Sequence, residues 1–233
     1  MCGRFMRSSS DELLAEWFGV SFEPSPWTLV NYNITPQSIQ PIVRVNEQTH
    51  KRELAPARWG LIPSWAKDAS IGQKTINARS EEIETKPAYR AALKFRRCIV
   101  PADGFYEWQR ITTKDKQPFC IALKTRKPLA FAGLWERWHD KDGSPLDTFS
   151  ILTTHANEVM APIHDRMPVI LAPGEYDRWL IALPKDPPPL DLLKPCDYAL
   201  LDAWPVGDAV GNVRNNSPEN IKPIPPPHHT LFD

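Results

Sequence analysis

Four side chains far apart in the chain have the chemistry to make and break a covalent bond: Cys2, Asn77, Glu107 and His164. Cys2 stands directly behind the initiator methionine in MCGRF, so loss of Met1 would leave one residue carrying both a thiol and a free α-amine. Glutamate and histidine can move protons near neutrality once their surroundings tune them. Asparagine offers a donor and an acceptor on one planar group. Each residue also has an ordinary reading. Glu107 would be a solvent-facing glutamate on an edge strand, His164 a hydrogen-bonded turn residue, and Asn77 a turn asparagine.

Four segments set such residues among aromatic and apolar neighbours: RWGLIPSW (58–65), INARSE (76–81), ADGFYEW (102–108) and IHDRMPV (163–169). Alternation along a strand would turn Glu107 away from both Tyr106 and Trp108. Asn77 and Arg79 would share a face by the same period of two.

The elements that must hold them are mostly short. Ser9-Ser10-Asp11-Glu12 forms a capping-box pattern ahead of Leu13, Leu14, Trp17 and Phe18, with Gly19 as the stop, which predicts a helix. A second helix is predicted from near Pro87 through AYRAALKF. Strands are predicted at RCIVPA, FYEWQR, PFCIALK, LAFAGLWER, FSILTT, PVILA and YALLDAWPV, with short helices near ANEVMAPI and GEYDRWLIAL. The expected class is α+β, a single domain whose curved, mostly antiparallel, barrel-like sheet carries helices on its outside. The domain is expected over 1–223, with 184–190 an exposed loop and 224–233 a flexible proline-rich tail.

Composition excludes several alternatives. The 233 residues suffice for one sizeable core, and 42% apolar with 24% charged residues are ordinary for a globular protein. Lysine plus arginine equals aspartate plus glutamate at 28 each, so contact with nucleic acid must come from a local patch. The 25 prolines are roughly twice the usual share and favour turns over long helices. No apolar run approaches bilayer length, and the first ten residues lack the apolar stretch of a signal peptide. A cytoplasmic protein with no membrane partner is expected. The four cysteines, Cys2, Cys98, Cys120 and Cys196, show no metal-site or disulfide spacing, so no metal and no cofactor are expected. Cys98 and Cys120 lie in apolar runs as buried, inert thiols.

Taken together and in order, these motifs give the whole chain a resemblance to the SRAP family, the SOS response-associated peptidases of abasic-site processing. The resemblance rests on MCGRF, Tyr32-Asn33 with Thr35-Pro36, RWGLIPSW, NARSE at 77–81 and GFYEW at 104–108. It continues through Thr153-Thr154 with Ala156-Asn157, IHDRMP at 163–168 and VGNVRN at 210–215. It implies a protein of the DNA damage response that binds abasic sites in single-stranded DNA and is captured on them covalently through Cys2.

The residue types suit that chemistry. An opened abasic sugar presents an aldehyde, which the α-amine condenses to an imine and the neighbouring thiol closes to a thiazolidine. An α-amine is roughly 10–15% neutral at pH 7 against below about 0.1% for a lysine, on the order of a hundredfold more nucleophile. Glu107 would move protons at the imine stage and activate water on reversal, His164 would assist sugar opening, and Asn77 would orient the amine or sugar. Arg4, Arg79 and Arg166 suit flanking phosphates, and Thr153 offers a hydroxyl. Trp65, Pro36 and Met167 are candidate platforms for bases, with Trp59 assigned to the core. Self-removal of Met1 would be a peptidase activity, and the resemblance implies single-stranded abasic DNA as the partner, with a monomer expected to bind it. The rival readings are an N-terminal nucleophile amidohydrolase, a cysteine peptidase pairing Cys2 with His164, and a non-catalytic reader of modified bases.

Overall fold

A computed structural model describes residues 2–21, 30–182 and 186–225. Its strands form two sheets that share one core. The smaller sheet is made by β1 (Phe5–Arg7), β2 (Asn31–Ile34), β7 (Gly104–Arg110), β8 (Lys116–Leu123) and β12 (Leu201–Pro205), in the order β12-β8-β7-β1-β2 and antiparallel throughout. The larger contains β3 (Ile39–Val45), β4 (Arg52–Trp59), β5 (Asn77–Arg79), β6 (Arg97–Ala102), β9 (Leu129–His139), β10 (Pro145–His155) and β11 (Arg166–Pro168).

The larger sheet closes on itself. The path runs β10-β4-β3-β6-β9, and β9 pairs again with β10 from Gly133↔Ile151 to His139↔Pro145. Closure removes the sheet edges there, the barrel-like solution expected from many short strands. Only β4 and β5 run parallel to β10. Strand β10 is therefore the hinge of the topology: β9 and then β11 take one of its edges, and β4 and then β5 the other.

Strand alternation divides the core. On β6, Cys98 and Val100 face the main core while Ile99 faces the helices; on β9, Phe131 and Trp135 face inward while Ala132 and Leu134 face the helices. Phe5, Ile34, Trp59, Phe105, Phe131 and Phe149 fill the space between the sheets, and Trp59 meets Phe5 edge-on at 5.1 Å. The second layer buries Leu14 and Phe18 of α1 (Asp11–Phe18), Ala92 and Leu93 of α2 (Arg90–Phe95), and Trp179 of α3 (Tyr176–Leu180). The helices lie outside the barrel, as the sequence implied.

Several local readings are corrected. Ser10, not Ser9, caps α1, accepting from the Leu13 N–H at 3.3 Å, because Ser9 is tied to Asp103. Glu12 then falls one position short of the reciprocal box, and Leu13 is exposed. Gly19 ends the helix in the left-handed conformation, φ 63°, as predicted. ANEVMAPI forms consecutive hydrogen-bonded turns, and PVILA is a strand only through Pro168. Strands β1 to β5 were not among the predicted elements. Ile224 N–H still donates to Pro205 O at 3.0 Å, so the chain is anchored one residue past the expected domain end. The remainder of the predicted tail, 226–233, and residues 184 and 185 of the predicted loop lie outside the described residues. Among the described residues no helix is long and apolar enough to cross a membrane.

Gly60 pins the RWG segment against its neighbours. Its φ is +127°, its N–H donates to Phe149 O at 2.8 Å, and a Cβ there would sit 2.3 Å from Gly72 O and 2.5 Å from Gln37 Nε2. Gly60→Ala is therefore expected to cost ~3 kcal/mol or more in urea unfolding, because backbone must move. Gly143→Ala, at φ +81° with nothing within 4 Å, should cost only about 1 kcal/mol. Equal costs for the two variants would contradict the packing described.

Candidate active site

Cys2 is positioned by β1, which lies between β7 and β2. Phe5 pairs with Phe105, Tyr106 N–H donates to Arg4 O at 3.0 Å, and Asp103 N–H donates to Met6 O at 2.9 Å. The chain start is thus laid along the strand that carries Glu107. Cys2 is fully buried in the main core, and the Asn77 side chain donates from Nδ2 to its carbonyl at 2.7 Å. Asn77 is itself fixed. Strand β5 pairs it with Ile151 of β10, and the Tyr89 hydroxyl donates to its carbonyl at 3.2 Å. The other end of the Asn77 amide, Oδ1, is buried without a hydrogen-bond partner among the described residues. An idle buried acceptor costs about 1–3 kcal/mol, so the amide is committed to the terminus on one side and poised for a donor on the other.

Glu107 is not a surface residue on an edge strand. Strand β7 lies inside the smaller sheet, and alternation turns Glu107 to the same face as Phe105, leaving it 4% exposed. Tyr106 and Trp108 pack on the opposite face with Met6, Cys120 and Val206. Burial pushes the Glu107 carboxyl above the usual carboxylate range, while the nearness of His164 works the other way. The Cys2 thiol is pushed up strongly, first by burial and then by the charge of Glu107. Cys2, Glu107 and His164 are therefore electrostatically coupled.

His164 follows the turns that begin at Asn157, whose side chain accepts from Met160 N–H and donates to Cys196 O at 3.1 Å. Gln109, two residues beyond Glu107, donates from Nε2 to Pro162 O at 2.9 Å and ties this turn to β7. The Nδ1 atom lies 3.0 Å from Arg166 N and 2.8 Å from Asp165 Oδ1. The backbone N–H can only donate to Nδ1 and the Asp165 carboxylate can only accept from it, so the two contacts suit opposite states of the ring and fix its orientation in either.

The expected DNA-facing residues divide. Arg79 and Trp65 are exposed, Trp65 at 62%, and Pro36 is half-buried. Arg4 spends Nη1 on Asn33 Oδ1 at 2.6 Å and Val210 O at 2.9 Å, and lies over Trp108. Arg166 is buried and forks onto both carboxylate oxygens of Glu81 at 2.7 and 2.9 Å, with Thr153 O at 2.6 Å. It braces β11, β10 and the NARSE segment and is not presented to a phosphate. Thr153 is buried beneath it, its hydroxyl 3.4 Å from Ala78 O. Met167 is fully buried and receives the Asn157 N–H on its sulfur, so no stacking face is left. Trp59 is core, as expected. Among the described residues no three His, Cys, Asp or Glu side chains converge as metal ligands.

The model of the SOS response associated peptidase (SRAP) family matches residues 1–213. The chain belongs to this family. It is similar to the abasic site processing protein YoqW of Bacillus subtilis, 44% identical over 95% of this chain and 99% of the relative. It is also similar to the abasic site processing protein HMCES of Xenopus tropicalis, 35% identical over 83% of this chain and 66% of the relative. Among solved structures, a protein from Bacteroides thetaiotaomicron superposes with a TM-score of 0.86 at 30% identity, covering 96% of this chain and all of the other.

In this SRAP chain the site also needs residues that sequence reasoning left out of it. Asn33 donates to Val210, Asn212 and Asn215 carbonyls at 3.2, 3.0 and 2.8 Å, which clamps the 210–215 segment beside Arg4. Glu81 holds Arg166, Tyr89 holds Asn77, and Gln109 holds the His164 turn. Asn33 and Glu81 stood within the motifs already singled out; Tyr89 and Gln109 carried no signal of their own.

Burial of Glu107 has a measurable consequence. Its folded-state pKa is raised, so ionisation costs stability as pH rises through it, and the penalty vanishes below the ordinary value near 4.3. Glu107→Gln should melt higher than wild type at pH 8, by about 2–4 °C for each kcal/mol relieved, with the gap closing toward pH 4. A variant that melts lower at pH 8 would show that the carboxylate is net stabilising.

Proposed function

We propose that the protein processes abasic sites in single-stranded DNA by forming a thiazolidine crosslink through Cys2 after removal of Met1. The observation that carries this reading is the Asn77–Cys2 hydrogen bond, which fixes the chain start with its thiol buried and coupled to Glu107. The burial refers to the chain that still carries Met1; its loss creates the amine that must meet the aldehyde. Family membership and the names of the relatives agree with the substrate.

The neutral α-amine of Cys2 adds to the sugar aldehyde, and the carbinolamine loses water to give an imine. The S–H then adds across C=N: a C–S bond forms and the proton ends on the ring nitrogen. One water is lost overall and no oxidant is needed. Asn77 Oδ1 is the acceptor for the amine N–H, holding its lone pair toward the aldehyde. Glu107, with its raised pKa, supplies a proton to the leaving hydroxyl and takes the proton of a thiol that burial keeps un-ionised. A thiol held up in this way is poorly suited to act as the thiolate of a peptidase. His164 assists opening of the closed sugar.

Arg79 is the cation best placed for a flanking phosphate, with Trp65 and Pro36 as platforms for the neighbouring bases. With zero formal net charge, non-covalent affinity rests on few phosphates and persistence on the covalent bond.

Incubation with a single-stranded oligonucleotide carrying one abasic site, followed by a denaturing gel, tests the reading. Wild type is expected to give a heat-stable crosslink, Cys2→Ala none, and Glu107→Gln one that forms about 10²-fold more slowly. A Cys2→Ala variant that crosslinks like wild type would overturn it.

A further inference from the structure

A sizeable cavity lies away from Cys2, Asn77, Glu107 and His164, none of which lines it. It encloses about 700 Å³ between the β8–β9 connection, residues 170–173, α3 and the segment 191–200. Its wall is apolar, from Leu129, Ile170, Leu171 and Leu192, with the rings of Trp17 and Tyr176. That size and lining are those of small-molecule pockets, which bind an apolar body and orient it with a few polar groups at the mouth.

The polar groups at the mouth are unequal in what they leave available. Of the acids, Asp191 takes both Arg178 nitrogens at 2.7 Å, Glu175 also faces Arg178 at 3.6 Å, and Asp197 caps the turn at Ala199. The lysines are less engaged, although Lys194 acts on Asp191 at longer range. Lys124, Lys127 and Lys194 are exposed and form no ion pair within 4 Å among the described residues; Lys127 rests over the Trp17 ring at 4.8 Å. Every carboxylate at the mouth is neutralised or capped, while three ammonium groups stand beside an apolar interior.

We propose that this cavity is a second binding site, for a small amphipathic anion with an aliphatic or aromatic body and one carboxylate or sulfonate head. The body fills the space between Ile170, Leu192 and Trp17, and the head meets Lys124, Lys127 and Lys194. The inference is independent of the crosslinking chemistry and stands or falls without it.

Anilinonaphthalene sulfonate fluorescence, with decanoate and decanol as competitors, tests it on the full chain. Saturable binding is expected, with decanoate displacing the dye at least tenfold better than decanol. Lys124→Glu combined with Lys194→Glu should weaken decanoate by about tenfold while decanol is unchanged, and Ala172→Trp, at an exposed position of the mouth, should abolish dye binding. Circular dichroism and melting temperature identify any variant that fails to fold, and wild-type competition alone decides the case then. Absence of saturable dye binding, or decanol competing as well as decanoate, would overturn the proposal. Abasic-site crosslinking by Ala172→Trp is expected to match wild type.

Discussion

The structure depends on holding the beginning of a chain still inside a hydrophobic core. Chain termini ordinarily fray, because few contacts offset the entropy of ordering them. Here the first residues form an interior strand of a five-strand sheet, between β7 and β2, and the carbonyl of Cys2 is gripped by Asn77 at 2.7 Å. That grip requires β5 to lie beside β10, which requires the barrel to close through β9 and β10. Fixing one terminal residue therefore draws on both sheets.

The same burial that fixes the terminus sets the chemistry. A carboxyl and a thiol removed from water both have their pKa values raised, and the charge of Glu107 adds to the thiol's cost of ionising. The Asn77 Oδ1 atom adds an acceptor with no hydrogen-bond partner among the described residues. Such features oppose stability and are characteristic of sites where a reaction, not packing, decides the residue. Compensation comes from the frame: Arg166 on Glu81 and Thr153, Asn33 on the 210–215 segment, and the aromatic cluster around Trp59.

Much of this frame was legible because its signals were local. Ser10 and Gly19 bracket α1, and the apolar runs of β6 to β10 and β12 declared themselves by composition. Alternation gave the relation of Glu107 to Tyr106 and Trp108 but not that both faces of β7 were buried, since that depends on the main core on one side and on Met6, Cys120 and Val206 on the other. Strands β3 and β4 escaped because Pro41 and Pro56 interrupt them, and β5 because three residues carry no period. Arg166 and Met167 were misjudged for a related reason. Whether an arginine faces solvent or a glutamate 85 positions away is decided by a pairing that no local pattern encodes.

The central claim is that both the amine and the thiol of Cys2 are consumed. The most direct measurement is the intact mass of the DNA adduct after denaturation and exhaustive alkylation with iodoacetamide. The chain has four cysteines, so with Cys2 closed into a ring the adduct should lack Met1, show the loss of one water and carry only 4 − 1 = 3 alkyl groups, on Cys98, Cys120 and Cys196. An adduct that retains Met1, or that alkylates at all four cysteines, would contradict the account.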